Sequence, residues 1–99
     1  MTKTVPTTYG VPMLHNKEKN TFEIKNGQIT AELNYQIDHD GKMHITRTFV
    51  PEELRGKGLA AQLNKAALDY AKIENLKVVP VCSYTASYIE RNTEYKSLL

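Results

Sequence analysis

The sequence has no tryptophan, a single cysteine, and no hydrophobic run that could cross a bilayer. Each shortage excludes a class of protein. One cysteine, Cys82, cannot close an internal disulfide or supply a multi-cysteine zinc site. His15, His39 and His44 do not make up for it, since they lack metal-ligand grouping and two lie in or beside a turn, so no metal is expected. An unpaired thiol suits a reducing compartment, which makes the cytoplasm the expected location. A membrane helix needs about 20 consecutive apolar residues, so no membrane partner is expected. The opening stretch MTKTVPTTYG has no apolar h-region and does not read as a signal peptide. Neither sign of charge dominates. The formal net charge is +2, and Lys3, Lys17 and Lys19 against Glu18 account for all of it. Duplex-binding domains concentrate Lys and Arg on one face, so a neutral body over residues 21–99 argues against a nucleic-acid partner.

What remains is a chain of 99 residues, which is one domain. At that size folding buries roughly 65% of the unfolded surface, enough for one core without disulfides. Residues 1–12 are rich in Thr, carry Pro6, Gly10 and Pro12, and show neither helical nor strand periodicity. They are expected to form a flexible arm, leaving 13–99 as the domain.

From Thr21 apolar and polar residues alternate. Phe22 and Ile24 form a first strand, and Asn26-Gly27 is a strong hairpin signal. Ala31, Leu33, Tyr35 and Ile37 form a second, His39-Asp-Gly-Lys42 turns the chain, and Met43, Ile45, Arg47 and Phe49 form a third. Pro51 ends it. The period then changes to 3.6: Leu59, Leu63, Ala66, Ala67, Tyr70 and Ala71 make an apolar stripe. That predicts a helix over about 58–74, with Asn75 as a left-handed cap. Lys77-Val-Val-Pro-Val-Cys82 reads as a strand buried on both faces. Ser83 can start a last short helix, from Tyr84 to about Arg91. The fold class is therefore α/β (α+β): a three-stranded antiparallel meander, then a βαβ unit with a parallel strand pair.

The segment Val50-Pro-Glu-Glu-Leu-Arg-Gly-Lys-Gly-Leu-Ala60 joins the third strand to the long helix. Gly56 and Gly58 let backbone amides approach a ligand, and the first amides of a helix are unpaired and lie at the positive end of its dipole. A pyrophosphate suits such a place. A Walker loop fails here, because Gly58 is followed by Leu59 rather than Lys and Ser or Thr. Gly56-Lys-Gly-Leu-Ala-Ala61 satisfies the dinucleotide spacing, but the next strand ends at Val81-Cys82 without the acidic residue that holds a ribose.

Arg55-Gly-Lys-Gly-Leu-Ala60 instead resembles the Gln/Arg-x-x-Gly-x-Gly/Ala motif of the GNAT N-acetyltransferase superfamily. The wider chain resembles its minimal branch of small acetyltransferase-like domains. Thr48-Phe-Val-Pro-Glu-Glu-Leu-Arg-Gly-Lys-Gly-Leu-Ala60, Leu68-Asp-Tyr-Ala71 and Leu76-Lys-Val-Val-Pro-Val-Cys-Ser-Tyr84 carry the likeness, which spans residues 13–99. The resemblance implies that acetyl-CoA binds with its pyrophosphate on the turn formed by Arg55, Gly56, Lys57, Gly58, Leu59 and Ala60. Its pantetheine arm would run beside Phe49 and Val50, in a slot where the parallel strands splay. Pro80 fits a splay, since proline cannot complete a ladder. One departure matters: this branch usually has His where the chain has Arg47.

Cys82 matches the branch's cysteine beside the splayed strands and precedes a helix, whose dipole can lower a thiol pKa. Two chemical roles are open beside plain packing: a transient acyl-cysteine, or a thiol that protonates the departing CoA thiolate. Tyr84, near the start of the last helix, is the other candidate acid; Tyr88, one turn on, is assigned to packing. No residue stands out as a base, and Glu32 is expected to be solvated. The direct hairpin at Asn26-Gly27 replaces two helices that usually wall the acceptor site, so that side should be open. The implied function is transfer of an acetyl group from acetyl-CoA to an amine, such as a protein lysine or N-terminus. The alternative is an acyl-CoA-binding module with vestigial catalysis.

Overall fold

The computed structural model of the chain describes residues 2–5 and 12–99, with side chains from residue 12 onward. The described strands are β1 Thr2–Val5, β2 Met13–Asn16, β3 Thr21–Asn26, β4 Ile29–Ile37, β5 Lys42–Phe49 and β6 Lys77–Pro80. They lie in chain order in one sheet; successive pairs are antiparallel except the last, β5 with β6, which is parallel. Helix α1, Leu59–Ile73, makes the crossover between that pair, and α2, Ser83–Arg91, follows β6. This is the expected mixed α/β architecture, extended by two strands.

One of those two strands, β1, lies within the segment expected as an arm, where Thr2–Val5 pair with Met13–Asn16 at the edge of the sheet. The ladder is made by backbone groups, which need no apolar alternation to pair. Residue 1 and residues 6–11 of the expected arm lie outside the described residues. No element was expected over 13–16 either, yet Met13 and His15 are buried.

The inward face of the sheet sets Phe22 against Leu33 and Ile24 between Met13 and Ala31. Leu59, Leu63, Ala67, Leu68 and Ala71 of α1 complete the core over them. At the far side an aromatic group closes it. The His15 ring stacks on Phe22 with centroids 4.0 Å apart, meets Tyr70 edge-on at 4.5 Å, and shares a 2.6 Å hydrogen bond with the Tyr35 hydroxyl. Burial, and after it the neighbouring Tyr70, pushes the Tyr35 phenol up to about 12. The helix ends as its sequence implies. Asn75 adopts φ 59°, and the Leu76 amide returns to the Ala71 carbonyl at 2.8 Å in a Schellman closure.

Two expectations shift. The β3–β4 loop residues are Gly27 and Gln28, one place later than Asn26-Gly27, with Gly27 at φ 66°. β6 is not buried on both faces. It is the edge strand of the sheet, only Val78 of its four residues is buried, and Val81 is 60% exposed. Its apolar run serves one face and then leads into the site.

Candidate active site

β5 continues to Phe49, but β6 stops at Pro80, opposite Ile45. Residues 46–49 therefore have no neighbour on the β6 side. Three local causes part the strands. Pro80 has no N–H to give. The Val81 amide turns back to the Val79 carbonyl at 3.0 Å, and the Cys82 amide makes the last bond across, to the Ile45 carbonyl at 2.9 Å. On β5 the register shifts: Tyr35 opposes Ile45 while Asn34 opposes Arg47, which leaves Thr46 as an extra residue. Such a bulge bends its strand and re-aims the side chains beyond it. Thr48 consequently lies opposite Leu33 on the inward face, and Arg47 and Phe49 lie on the outward one.

The glycine turn begins where β5 ends. Glu52–Leu54 form one 3₁₀ turn, closed by the Leu54 amide on the Pro51 carbonyl at 2.9 Å. Arg55 Nε donates to the Val50 carbonyl at 3.0 Å, so this guanidinium braces the loop. Gly56 and Gly58 have φ of 80° and 73°. A Cβ on Gly56 would meet nothing within 4 Å. The backbone conformation, rather than crowding, is what calls for glycine there. Gly58 is the N-cap of α1, with no side-chain cap and no acidic residue in the first turn. The first amides of this helix are thus neither capped nor neutralised. They border a cavity of about 120 Å³ between Val50 and Leu54 on one side and Gly56, Gly58, Leu59 and Ala60 on the other. An anion with an apolar extension fits these surroundings.

Cys82 stands at the N-cap of α2, half-buried. Its Sγ lies 3.7 Å from Thr48 Oγ1. Thr48 in turn receives Asn64 Nδ2 at 3.2 Å, and Asn64 Oδ1 receives the Thr85 hydroxyl at 2.6 Å. One polar chain thus ties β5, α1 and α2 together under the thiol. Burial alone would push the thiol up, but the Thr85 and Tyr84 amides and the Thr48 and Thr85 hydroxyls outweigh it and hold Cys82 below its ordinary range.

On the outward face, Arg47 meets Glu32 at 3.2 Å and Asn34 Oδ1 at 3.3 Å, with its guanidinium 4.8 Å from the Phe49 ring centroid. Glu32 is therefore ion-paired rather than simply solvated. Among the described residues no group of three His, Cys, Asp or Glu could hold a metal ion, and no helix is long and apolar enough to cross a membrane.

The sequence profile of the family described as GCN5-related N-acetyl-transferase matches residues 21–98. The chain belongs to the GCN5-related N-acetyltransferase family. It is 34% identical to protein NATD1 of Homo sapiens over 80 residues, covering 79% of this chain and 71% of that one. Protein NATD1 of Xenopus tropicalis is 32% identical over 80 residues, with 79% and 73% covered. The fold is also shared with the NMR solution structure of a GCN5-like protein from Staphylococcus aureus: TM-score 0.71, 26% identity, 92% of this chain and 89% of that one.

Within this acetyltransferase domain, the residues singled out in the sequence fall into two groups. Val50, Arg55, Gly56, Gly58, Leu59 and Ala60 all line the same cavity. Lys57 is exposed between the glycines, and Phe49 is 40% exposed at the mouth of the splay. Cys82 and Tyr84 sit at the start of α2; the Tyr84 ring packs partly on the core with the Arg91 guanidinium 5.8 Å from its centroid. Tyr88 is in the core. Sequence reasoning missed Thr48, Asn64 and Thr85 as a unit. The available signal was Asn64 itself, a polar residue four places from both Ala60 and Leu68 on a buried helix stripe.

Proposed function

We propose that this domain binds acetyl-CoA along the splayed edge of β5 and transfers its acetyl group to an amine. The observation that carries the reading is a continuous one: unpaired β5 backbone at 46–49, the cavity at Val50, and uncapped amides at the start of α1 succeed one another along the chain. The amides at Gly58–Ala60 would hold the pyrophosphate. The free edge of Thr46–Phe49 would pair with the amides of the pantetheine arm, as an added strand does. Because the Val50 carbonyl already accepts from Arg55, it offers one remaining lone pair to such a ligand.

Acetyl-CoA, when bound, supplies the thioester. The residues of the chain handle the proton. As the acceptor nitrogen bonds the acetyl carbon, the carbon–sulfur bond breaks and its electron pair stays on the CoA sulfur. Cys82 gives its thiol proton to that sulfur and is restored by the proton the nitrogen sheds. No acyl-cysteine is needed, and Tyr84 is the alternative donor. The outward face beside Phe49 lacks the wall two inserted helices would make, since β3 and β4 join through Gly27-Gln28. That openness suits a lysine or N-terminus presented by a protein. The unpaired Cys82 thiol suits a reducing compartment, and the cytoplasm is the proposed setting.

The deciding experiment mixes the chain with acetyl-CoA and a cell peptide extract and tracks free CoA thiol and peptide mass. Amine-dependent CoA release with a gain of one acetyl group on peptide is expected. CoA binding without amine-dependent release would replace this reading with an acyl-CoA-binding module.

A further inference from the structure

Asn64 is fully buried on α1, and both ends of its amide are committed. Nδ2 donates to the Ala60 carbonyl at 2.9 Å and to Thr48 Oγ1 at 3.2 Å, while Oδ1 accepts from Thr85 Oγ1 at 2.6 Å. The orientation of this amide is not arbitrary. A carbonyl oxygen can only accept, so the group facing Ala60 has to be the N–H₂ end. With one Asn64 hydrogen on Ala60 and the other on Thr48, the Thr48 oxygen is an acceptor toward Asn64. Its own hydroxyl hydrogen is left to turn elsewhere. The Cys82 thiol donates to the other lone pair of Thr48 Oγ1 at 3.7 Å, so Thr48 accepts from both neighbours while the thiol is protonated.

We propose that Asn64 and Thr48 are positioning residues for the thiol: Asn64 holds one lone pair of Thr48, and once the thiol has given up its proton the Thr48 hydroxyl hydrogen turns to the Cys82 sulfur. The inference rests on the reading of Cys82 as the proton donor to the departing CoA sulfur. In that step the S–H bond breaks, its electron pair stays on Cys82, and the proton leaves with the CoA sulfur. The Thr48 hydroxyl then donates to the new anion, until the proton shed by the acceptor nitrogen restores the thiol. A hydrogen bond to an ionised partner is about twice as strong as a neutral one, so the arrangement favours the state that exists just after proton release.

Several charged side chains on the elements around the thiol are engaged elsewhere, and Lys42 and Lys77 stand at the far end of the β5–β6 pair, opposite each other. On β5, Arg47 pairs with Glu32 and His44 with Asp38. On α1, Lys65 pairs with Asp69. On α2, Arg91 lies over the Tyr84 ring and Glu90 pairs with Lys96. The groups that act on the sulfur are Thr48, the Thr85 hydroxyl, and the amides of Tyr84 and Thr85, all of them uncharged.

The test is the pH profile of Cys82 alkylation by iodoacetamide, read by mass spectrometry on the full chain. Thr48→Val keeps the shape and removes the hydroxyl. It should move the inflection up by about one pH unit, a tenfold change in the ionisation equilibrium. Thr48→Ser should restore it. Asn64→Ala should move it the same way by less, since Thr48 then turns freely; if that variant fails to fold, Thr48→Val still decides. The same Thr48→Val protein should lose turnover in kcat with KM for acetyl-CoA unchanged. An unmoved alkylation profile in Thr48→Val overturns the proposal, even if Cys82→Ala abolishes turnover and so upholds Cys82 as the acid. A shifted profile together with full turnover in Cys82→Ala has the reverse meaning: the positioning stands and the acid role falls.

Discussion

Two polar groups on either side of β5, the Tyr35 phenol on β4 and the Cys82 thiol beyond β6, are treated in opposite ways. At the β2–β4 end the Tyr35 phenol is enclosed by His15, Phe22 and Tyr70, and burial drives its ionisation up to about 12. At the β5–β6 end Cys82 is also partly buried, yet surrounding amides and hydroxyls hold it below the usual thiol range. Burial disfavours both anions. The difference is the donors. The aromatic end supplies rings and the His15–Tyr35 hydrogen bond, which fix a neutral shape. The splayed end supplies donors around the thiol, uncapped amides at the start of α1, and along β5 an open edge of both amides and carbonyls. One end is finished; the other is complete only with a partner.

The sharpest way to break this contrast is to damage each end and ask what is lost. Phe22→Ala should cost about 3–5 kcal/mol of stability, measured by urea unfolding, with little change in CoA affinity of the molecules that remain folded. Cys82→Ala should do the reverse. Its packing change is small, but turnover should fall about 100-fold while calorimetric CoA affinity is retained and no stable acyl-enzyme is detected by mass. Wild-type turnover in that variant would reduce Cys82 to packing and make Tyr84 the leading acid.

A smaller effect is expected from Gly58→Glu, which sets a carboxylate against the pyrophosphate and a side chain at φ 73°. Losing one charge-assisted hydrogen bond corresponds to roughly 10–100-fold weaker CoA binding. Circular dichroism separates this from unfolding. Smallest is the alkaline limb of stability. Tyr35 ionises more readily in the unfolded chain, near 10, than in the fold. Its contribution is therefore complete below pH 10 and is lost as pH rises toward 12. Thermal melts should drop by about 10 °C over that range, and Tyr35→Phe should lessen the drop while leaving the shares of Tyr70, Tyr88 and Tyr95.

Legibility in the sequence divides along similar lines. Alternation over β3–β5, the α1 stripe and the Asn75 cap were legible because each is a local pattern repeated several times. The glycine turn was legible because φ near 75° at two positions in three leaves few residues to choose from. β1 was not, since its ladder is made by backbone alone. The extra residue at Thr46 gave no signal, because a bulge is a relation between two strands. Arg55 was read as facing a ligand, and it does line the cavity, but its Nε is bound to Val50. The Thr48–Asn64–Thr85 chain joins residues 16 and 21 positions apart, a coincidence that only the packed core creates.

The central claim is that the finished and unfinished ends differ in one thing, the place left for acetyl-CoA. It is tested most directly by titrating the isotopically labelled chain with acetyl-CoA and monitoring amide resonances. The account predicts saturable shifts concentrated in residues 46–50 and 56–61 and at Cys82–Thr85, with the amides around His15, Phe22 and Tyr35 unmoved. Shifts centred on β2–β4, or none at millimolar acetyl-CoA, would contradict it.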